Sequence, residues 1–265
     1  MKLAVLQAEV RRGDIISNLS TVKRLVEGSK EEINLLALPE LFLTGYQLRD
    51  GLSDVAEAIP GNGPALTGLC ELSAFHNMYI VGGMVEKSSG TLYNCAVLVG
   101  PEGYIGHYRK QYLPNFGPFE EKTHFGEGED IQVFETKIGK IGLQVCYDLF
   151  FPRQSMGLAH RGAEVILNLA ASPTTSRPLF HRVLPARAIE TTCFWGFANN
   201  VGVQGSLTFA GESTIYNPRG KVIASIPAFE EGISIADISL DEISTFRDLR
   251  PVLRDGASRE EKLTD

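Results

Sequence analysis

A mixed α/β fold with two sheets covered by helices is the architecture this 265-residue chain predicts. Segments with helical spacing alternate with short apolar runs in the first part of the chain and again in the middle. Hairpin patterns fall between those two parts and after them. No linker, low-complexity tract or repeat of roughly 20–50 residues divides the chain, so residues 1–265 read as a single domain.

Taken in order, residues 2–8 are apolar and strand-like. Ser17 or Asn18 is placed to cap a helix running to about Lys30, with Leu19, Val22, Leu25 and Val26 on one face. Ile33 to Leu38 is a buried strand closed by Pro39 and Glu40, and a Gly-rich loop runs on to Pro64, which opens a helix to His76. Tyr79–Val85 and Leu92–Val99 pair around Ser88-Ser-Gly90, and the turn Gly100-Pro-Glu-Gly103 leads into Tyr104–Tyr108. Residues 109–130 read as irregular. Ile131–Thr136 and Lys140–Cys146 form a further hairpin, followed by a helix from Pro152 to Arg161 and an apolar strand, Val165–Ala170. A loop from Pro173 to Pro178 precedes a helix over Leu179–Thr191. The rest is strand-rich: Cys193–Val201, Leu207–Tyr216, Val222–Ile226 and Ile233–Ile238, then a short helix over Asp241–Leu249. Residues 250–265 are charged and read as an extended or frayed C-terminal tail unless a partner holds them.

Composition narrows the function. A net charge of -7 argues against a nucleic-acid or anionic-membrane surface, because both need a basic footprint. No apolar run approaches the roughly 20 residues of a membrane span, and the N-terminus meets a charge too early for a signal peptide. The expected location is the cytoplasm. Cys70, Cys95, Cys146 and Cys193 are scattered, as reduced thiols are. His76, His107, His124, His160 and His181 form no metal-ligand spacing, so no metal and no cofactor are expected. A Gly-rich phosphate loop after a strand is also missing.

The chemistry concentrates at Lys140-Ile-Gly-Leu-Gln-Val-Cys-Tyr-Asp-Leu-Phe-Phe-Pro-Arg153. Alternation over Ile141, Leu143 and Val145 reads as a strand ending on Cys146, with Pro152 at the first position of a helix. A thiol between strand end and helix start lies near unpaired backbone N–H groups. Free cysteines are more often apolar filler, so Cys146 alone decides nothing. Glu40 and Lys110 also sit at or just past strand ends, where ligands collect in α/β proteins. Taken singly, Glu40 reads as a solvated carboxylate and Lys110 as a surface cation.

Three segments resemble, in order and spacing, the signatures of the nitrilase superfamily of carbon–nitrogen hydrolases. They are Ala37-Leu-Pro-Glu-Leu-Phe-Leu-Thr-Gly-Tyr46, Tyr108-Arg-Lys-Gln-Tyr-Leu113 and Val145-Cys-Tyr-Asp-Leu-Phe-Phe-Pro152. The likeness continues through Phe119-Glu-Glu-Lys-Thr-His-Phe125, Ala186-Arg-Ala-Ile-Glu190 and Ala198-Asn-Asn-Val-Gly202. It implies a single-domain, four-layer α-β-β-α sandwich with two mixed sheets between helices. It also implies a homodimer or higher homo-oligomer, with the helix near 179–191 and residues 250–265 at the contact.

For chemistry the resemblance implies a thiol hydrolase that cleaves the non-peptide C–N bond of a small amide and releases ammonia. Cys146 is the expected nucleophile, Glu40 the general base and acid, and Lys110 the oxyanion partner with the backbone N–H of Tyr147. Alignment on Glu-Lys-x-x-Phe places a further glutamate, which keeps Lys110 charged, at Glu121 rather than Glu120. Tyr46, Tyr147, Phe150 and the loop Ala171–Arg177, with Ser172, are expected to line the substrate pocket. Arg177 or Arg182 is a candidate partner for a substrate carboxylate, although a surface ion pair is the commoner role. The step Cys146-Tyr147-Asp148 resembles the amidase branches better than the nitrilases. An N-carbamoyl hydrolase or nitrilase with the same site is the alternative. A non-catalytic, redox-sensing protein would need the thiol but neither Glu40 nor Lys110.

Overall fold

A computed structural model describes residues 1–48 and 51–260. Strand β1 (Lys2–Gln7) leads to helix α1 (Ile15–Ser29), β2 (Leu35–Ala37), the single turn α2 (Leu52–Val55) and α3 (Pro64–His76). A meander of β3 (Tyr79–Ser88), β4 (Thr91–Gly100) and β5 (Gly103–Arg109) follows, then the single turn α4 (Glu121–His124). The second half runs β6 (Val133–Thr136), β7 (Gly139–Val145), α5 (Pro152–His160), β8 (Val165–Ala170), α6 (Arg177–Thr191) and β9 (Phe194–Asn199). It closes with β10 (Val201–Gln204), β11 (Leu207–Ala210), β12 (Thr214–Tyr216), β13 (Val222–Ser225), β14 (Gly232–Asp237), α7 (Asp241–Leu249) and α8 (Val252–Glu260).

Two six-stranded sheets result, in the orders β14-β1-β2-β3-β4-β5 and β13-β12-β9-β8-β7-β6, with β10 and β11 as a separate ribbon. In each sheet three central strands are parallel (β1, β2, β3 and β7, β8, β9) and the flanking pairs are antiparallel. Alternate residues of one strand serve two cores. Leu3, Val5, Leu35 and Ala37 pack with Leu143, Val145, Leu167 and Leu169 of the second sheet. Ala4, Leu6, Leu36 and Leu38 pack instead with Val22 and Val26 of α1 and Leu66 and Leu69 of α3. Burial on both faces explains why these strands are continuous apolar runs. Leu158 of α5 and Leu184 and Ala188 of α6 cover the second sheet. The layers are therefore α-β-β-α, as the sequence predicts.

Several expectations need correction. Asp14, not Ser17 or Asn18, caps α1, its carboxylate accepting the Ser17 N–H at 3.0 Å. Asn18 is instead buried, donating to the Arg11 and Leu43 carbonyls. The run Leu207–Tyr216 is two strands, because Gly211 (φ 77°) and Glu212 (φ 59°) adopt left-handed backbone between them. Helix α6 starts at Arg177, with Pro178 in its first turn, where proline is tolerated. The irregular stretch 109–130 contains α4. Residues 252–260 of the expected extended tail are helical, with Leu253 against the main core; residues 261–265 lie outside the described residues.

Candidate active site

The parallel strands of both sheets end at one edge, and the chain immediately beyond β2, β5, β7 and β8 builds the site. After β2, Leu41 adopts φ 48°, and the Leu38 and Leu43 amides donate to the Val81 and Gly83 carbonyls of β3. This tight turn points Glu40 inward, where it is fully buried. Its Oε1 accepts from Asn94 Nδ2 and from Lys110 Nζ, each at 2.7 Å. Its Oε2 accepts the Ala171 N–H at 2.7 Å. Asn200 Nδ2 holds the Glu40 carbonyl at 3.0 Å.

Lys110 follows the last residue of β5, and its N–H donates to the Asn94 carbonyl at 2.8 Å. Period-2 alternation sends Arg109 to the opposite face, where Glu86 binds it in bidentate fashion. The Lys110 ammonium lies between Glu40 and Glu121, with Glu121 at 2.8 Å. Glu121, the first residue of α4, is buried, whereas Glu120 is exposed. The Tyr46 hydroxyl donates to Glu121 Oε1 at 2.5 Å.

Burial alone would lower Lys110, but the Glu121 and Glu40 carboxylates overcome it and hold the ammonium above its ordinary range. Burial raises Glu121, while the Lys110 charge opposes that shift. The two carboxylates thus keep the buried Lys110 charged.

Cys146 is the first residue past β7 and opens a 3₁₀ turn, Cys146–Phe150. Its φ of 49° is unusual for a residue with a side chain, and such strain collects at functional sites. Asp148 braces the turn from within: it accepts the Val145 and Tyr112 amides at 2.9 and 3.0 Å and the Tyr108 hydroxyl at 2.7 Å. Burial pushes the Asp148 carboxyl up to about 6. From outside, the buried Arg187 of α6 donates to the Leu149 carbonyl at 3.0 Å. Burial, and then the Glu40 charge, raise the Cys146 thiol well above its ordinary value; Lys110 opposes them. The resting sulfur is a thiol.

Cys146 is 8 % exposed and forms the floor of a cavity of about 320 Å³. Tyr46, Tyr147, Phe150 and Ser172 all line it. Phe116, Phe119 and Phe180 complete an aromatic wall. Arg177 does not line the cavity; Glu212 holds its guanidinium. His107 is turned toward Tyr104 and Glu86, away from Cys146. Among the described residues no cluster of His, Cys, Asp or Glu suits a metal ion.

A family model described as carbon-nitrogen hydrolase matches residues 2–248. The chain belongs to the carbon–nitrogen hydrolase family. A nitrilase of Pyrococcus abyssi is 35% identical over 261 residues, spanning 96% of this chain and 97% of that protein. A carbon–nitrogen hydrolase superfamily protein of Xanthomonas campestris, solved with an arsenic adduct in its active site, superposes with a TM-score of 0.86 at 26% identity, covering 96% of each chain. An amidase from Nesterenkonia, solved as a Glu-to-Gln variant with acrylamide added at its active-site cysteine, gives 0.77 at 27% identity, over 97% of this chain and 99% of that one.

Sequence reasoning missed Asn94, Asp148 and Arg187 in this carbon–nitrogen hydrolase. Asn94 lies mid-strand in β4, and nothing local marks it. Asp148 and Arg187 stood inside quoted motifs. A charged residue within an otherwise apolar stretch is the signal available for such buried braces.

Proposed function

We propose that the protein hydrolyses small linear amides through a thioester on Cys146. The observation that carries this reading is Glu40 paired with Lys110 at 2.7 Å, both fully buried beside a cavity floored by a strained cysteine. A structural ion pair has no need of such a floor. Because the resting sulfur is a thiol, attack on the carbonyl carbon is coupled to transfer of its proton to Glu40. The carbonyl oxygen becomes an oxyanion held by the Lys110 ammonium and the Tyr147 N–H. Collapse breaks the C–N bond as Glu40 returns the proton, and ammonia leaves. Water, deprotonated by Glu40, then attacks the thioester and releases the carboxylic acid and the thiol. Glu121 keeps Lys110 charged, and Tyr46 orients Glu121. The Nesterenkonia amidase, modified at its active-site cysteine, supports the assignment of Cys146.

The test is ammonia release from small amides, N-carbamoyl amines and nitriles, with Cys146→Ala in parallel. Cys146-dependent release from amides is expected, with a loss on the order of 10³-fold or more in the variant. Release from nitriles or carbamoyl compounds alone moves the substrate class. Undiminished release in Cys146→Ala overturns the mechanism.

A further inference from the structure

The cavity above Cys146 also carries information about the acyl group, and this step rests on the mechanism just proposed. We infer that the acyl group is uncharged and apolar, an aliphatic or aromatic chain rather than one ending in a carboxylate or an ammonium. Its walls are the rings of Phe116, Phe119, Tyr147, Phe150 and Phe180 with the Leu179 side chain at the rim, and among the described residues none that lines it is charged. Tyr147 packs between Phe116 and Phe150, and Phe180 meets Phe150 edge-on, so the wall is one continuous aromatic surface.

Among the described residues, the cations nearest this cavity are committed elsewhere. Lys110 is held by two carboxylates, Arg177 is bidentate on Glu212, and Arg187 is shared between the Leu149 carbonyl and Glu190. A substrate carboxylate would leave water without a partner, at a cost far above what apolar contact returns. A substrate ammonium would gain ring contacts but no lining carboxylate. The buried Ser172 Oγ, without a hydrogen-bond partner among the described residues, is a neutral polar group in the cavity lining and suits a neutral amide group. A filled cavity of about 320 Å³ lies within the range of small-ligand sites.

The experiment compares kcat/KM for three amides of nearly equal size in the full-length protein. They are 4-methylpentanamide, succinamate, in which a carboxylate replaces the isopropyl end, and 4-aminobutanamide. The neutral amide is expected to exceed both charged ones by about 100-fold or more. Leu179→Arg, at a half-exposed rim position, is expected to raise succinamate turnover relative to the neutral amide by about 10-fold. Succinamate or 4-aminobutanamide matching the neutral amide, with release abolished by Cys146→Ala, overturns the acyl-group inference and leaves the mechanism intact. Release that persists in Cys146→Ala, or release from none of the three while iodoacetamide still alkylates Cys146, overturns the amide mechanism and this inference with it.

Discussion

At the scale of single residues, the site is a problem in burying charge. Among the described residues Lys110 is the cation that pairs with Glu40 and Glu121 and, more distantly, faces Asp148, and it offsets carboxylates that water cannot reach. Lys110→Ala leaves two buried carboxylates unpaired. Urea titration is expected to show a loss of about 3–5 kcal/mol, and turnover a loss of about 10²–10³ in kcat. Native stability in the variant would show that the trio is not coupled. Asp148 makes a pH-dependent contribution of its own. Its folded value, about 6, lies above the ordinary 3.8, so the native state binds the proton more tightly than the unfolded chain. The stability this adds is complete below 3.8 and is lost as pH rises through about 6. Asp148→Asn carries no such proton, so the stability difference, native minus variant, is expected to shrink between pH 4 and 6.5. The change is on the order of 3 kcal/mol. A difference that is flat or widens with pH would contradict the buried, proton-binding carboxyl.

At the scale of elements, each functional group is aimed by a turn just beyond a strand, and small residues let those turns approach one another. A Cβ added at Gly83 of β3 would stand 2.3 Å from the Leu41 nitrogen and 2.5 Å from the Pro39 oxygen, both backbone atoms that cannot swing aside. Gly83→Ala is therefore expected to displace the turn bearing Glu40. The expected cost is about 1–3 kcal/mol of stability, with kcat/KM falling at least about tenfold. Unchanged kcat/KM in a folded Gly83→Ala protein would show that the turn does not place Glu40. The same dependence on contact explains which elements were legible in the sequence. α3 and β8 were read to the residue, because Pro64 marks one start and an apolar run interrupted only by Asn168 marks the other. α4 was not, because a four-residue turn has no periodicity to read, and what holds it is the Glu121 contact to Lys110. The α1 cap was misread because Ser17 and Asn18 have the right chemistry. Asn18, however, is drawn into the interior by the Leu43 carbonyl, a partner 25 residues away. Glu40, Lys110 and Cys146 are singled out by motif order. Asn94, which touches Glu40 from a neighbouring strand, shows what order alone does not reveal.

At the scale of the whole molecule, the outer helices α6, α7 and α8 each carry apolar side chains that are exposed in the single chain. Layer order was legible because strands buried on both faces require cover on both sides, but nothing in the pattern separates a helix stripe facing the core from one facing a second copy. The structure separates them on α6: Leu184 and Ala188 are buried in the core, whereas Leu179 and Ile189 are exposed. Leu249, at the end of α7, is 71% exposed, and Val252, at the start of α8, is also open to solvent. Where exposed apolar side chains form a contiguous patch, they mark an association surface. We propose a two-fold dimer through these helices, which would place Leu179, at the cavity rim, close to the contact. Light scattering at micromolar concentration is expected to return about twice the mass of one chain. The double substitution Leu249→Glu with Val252→Glu is expected to return one chain mass with the far-ultraviolet circular dichroism unchanged, since both positions are solvent-facing in the single chain. A native protein that scatters as a monomer would remove the dimer, and a double variant that stays dimeric would move the interface to another face.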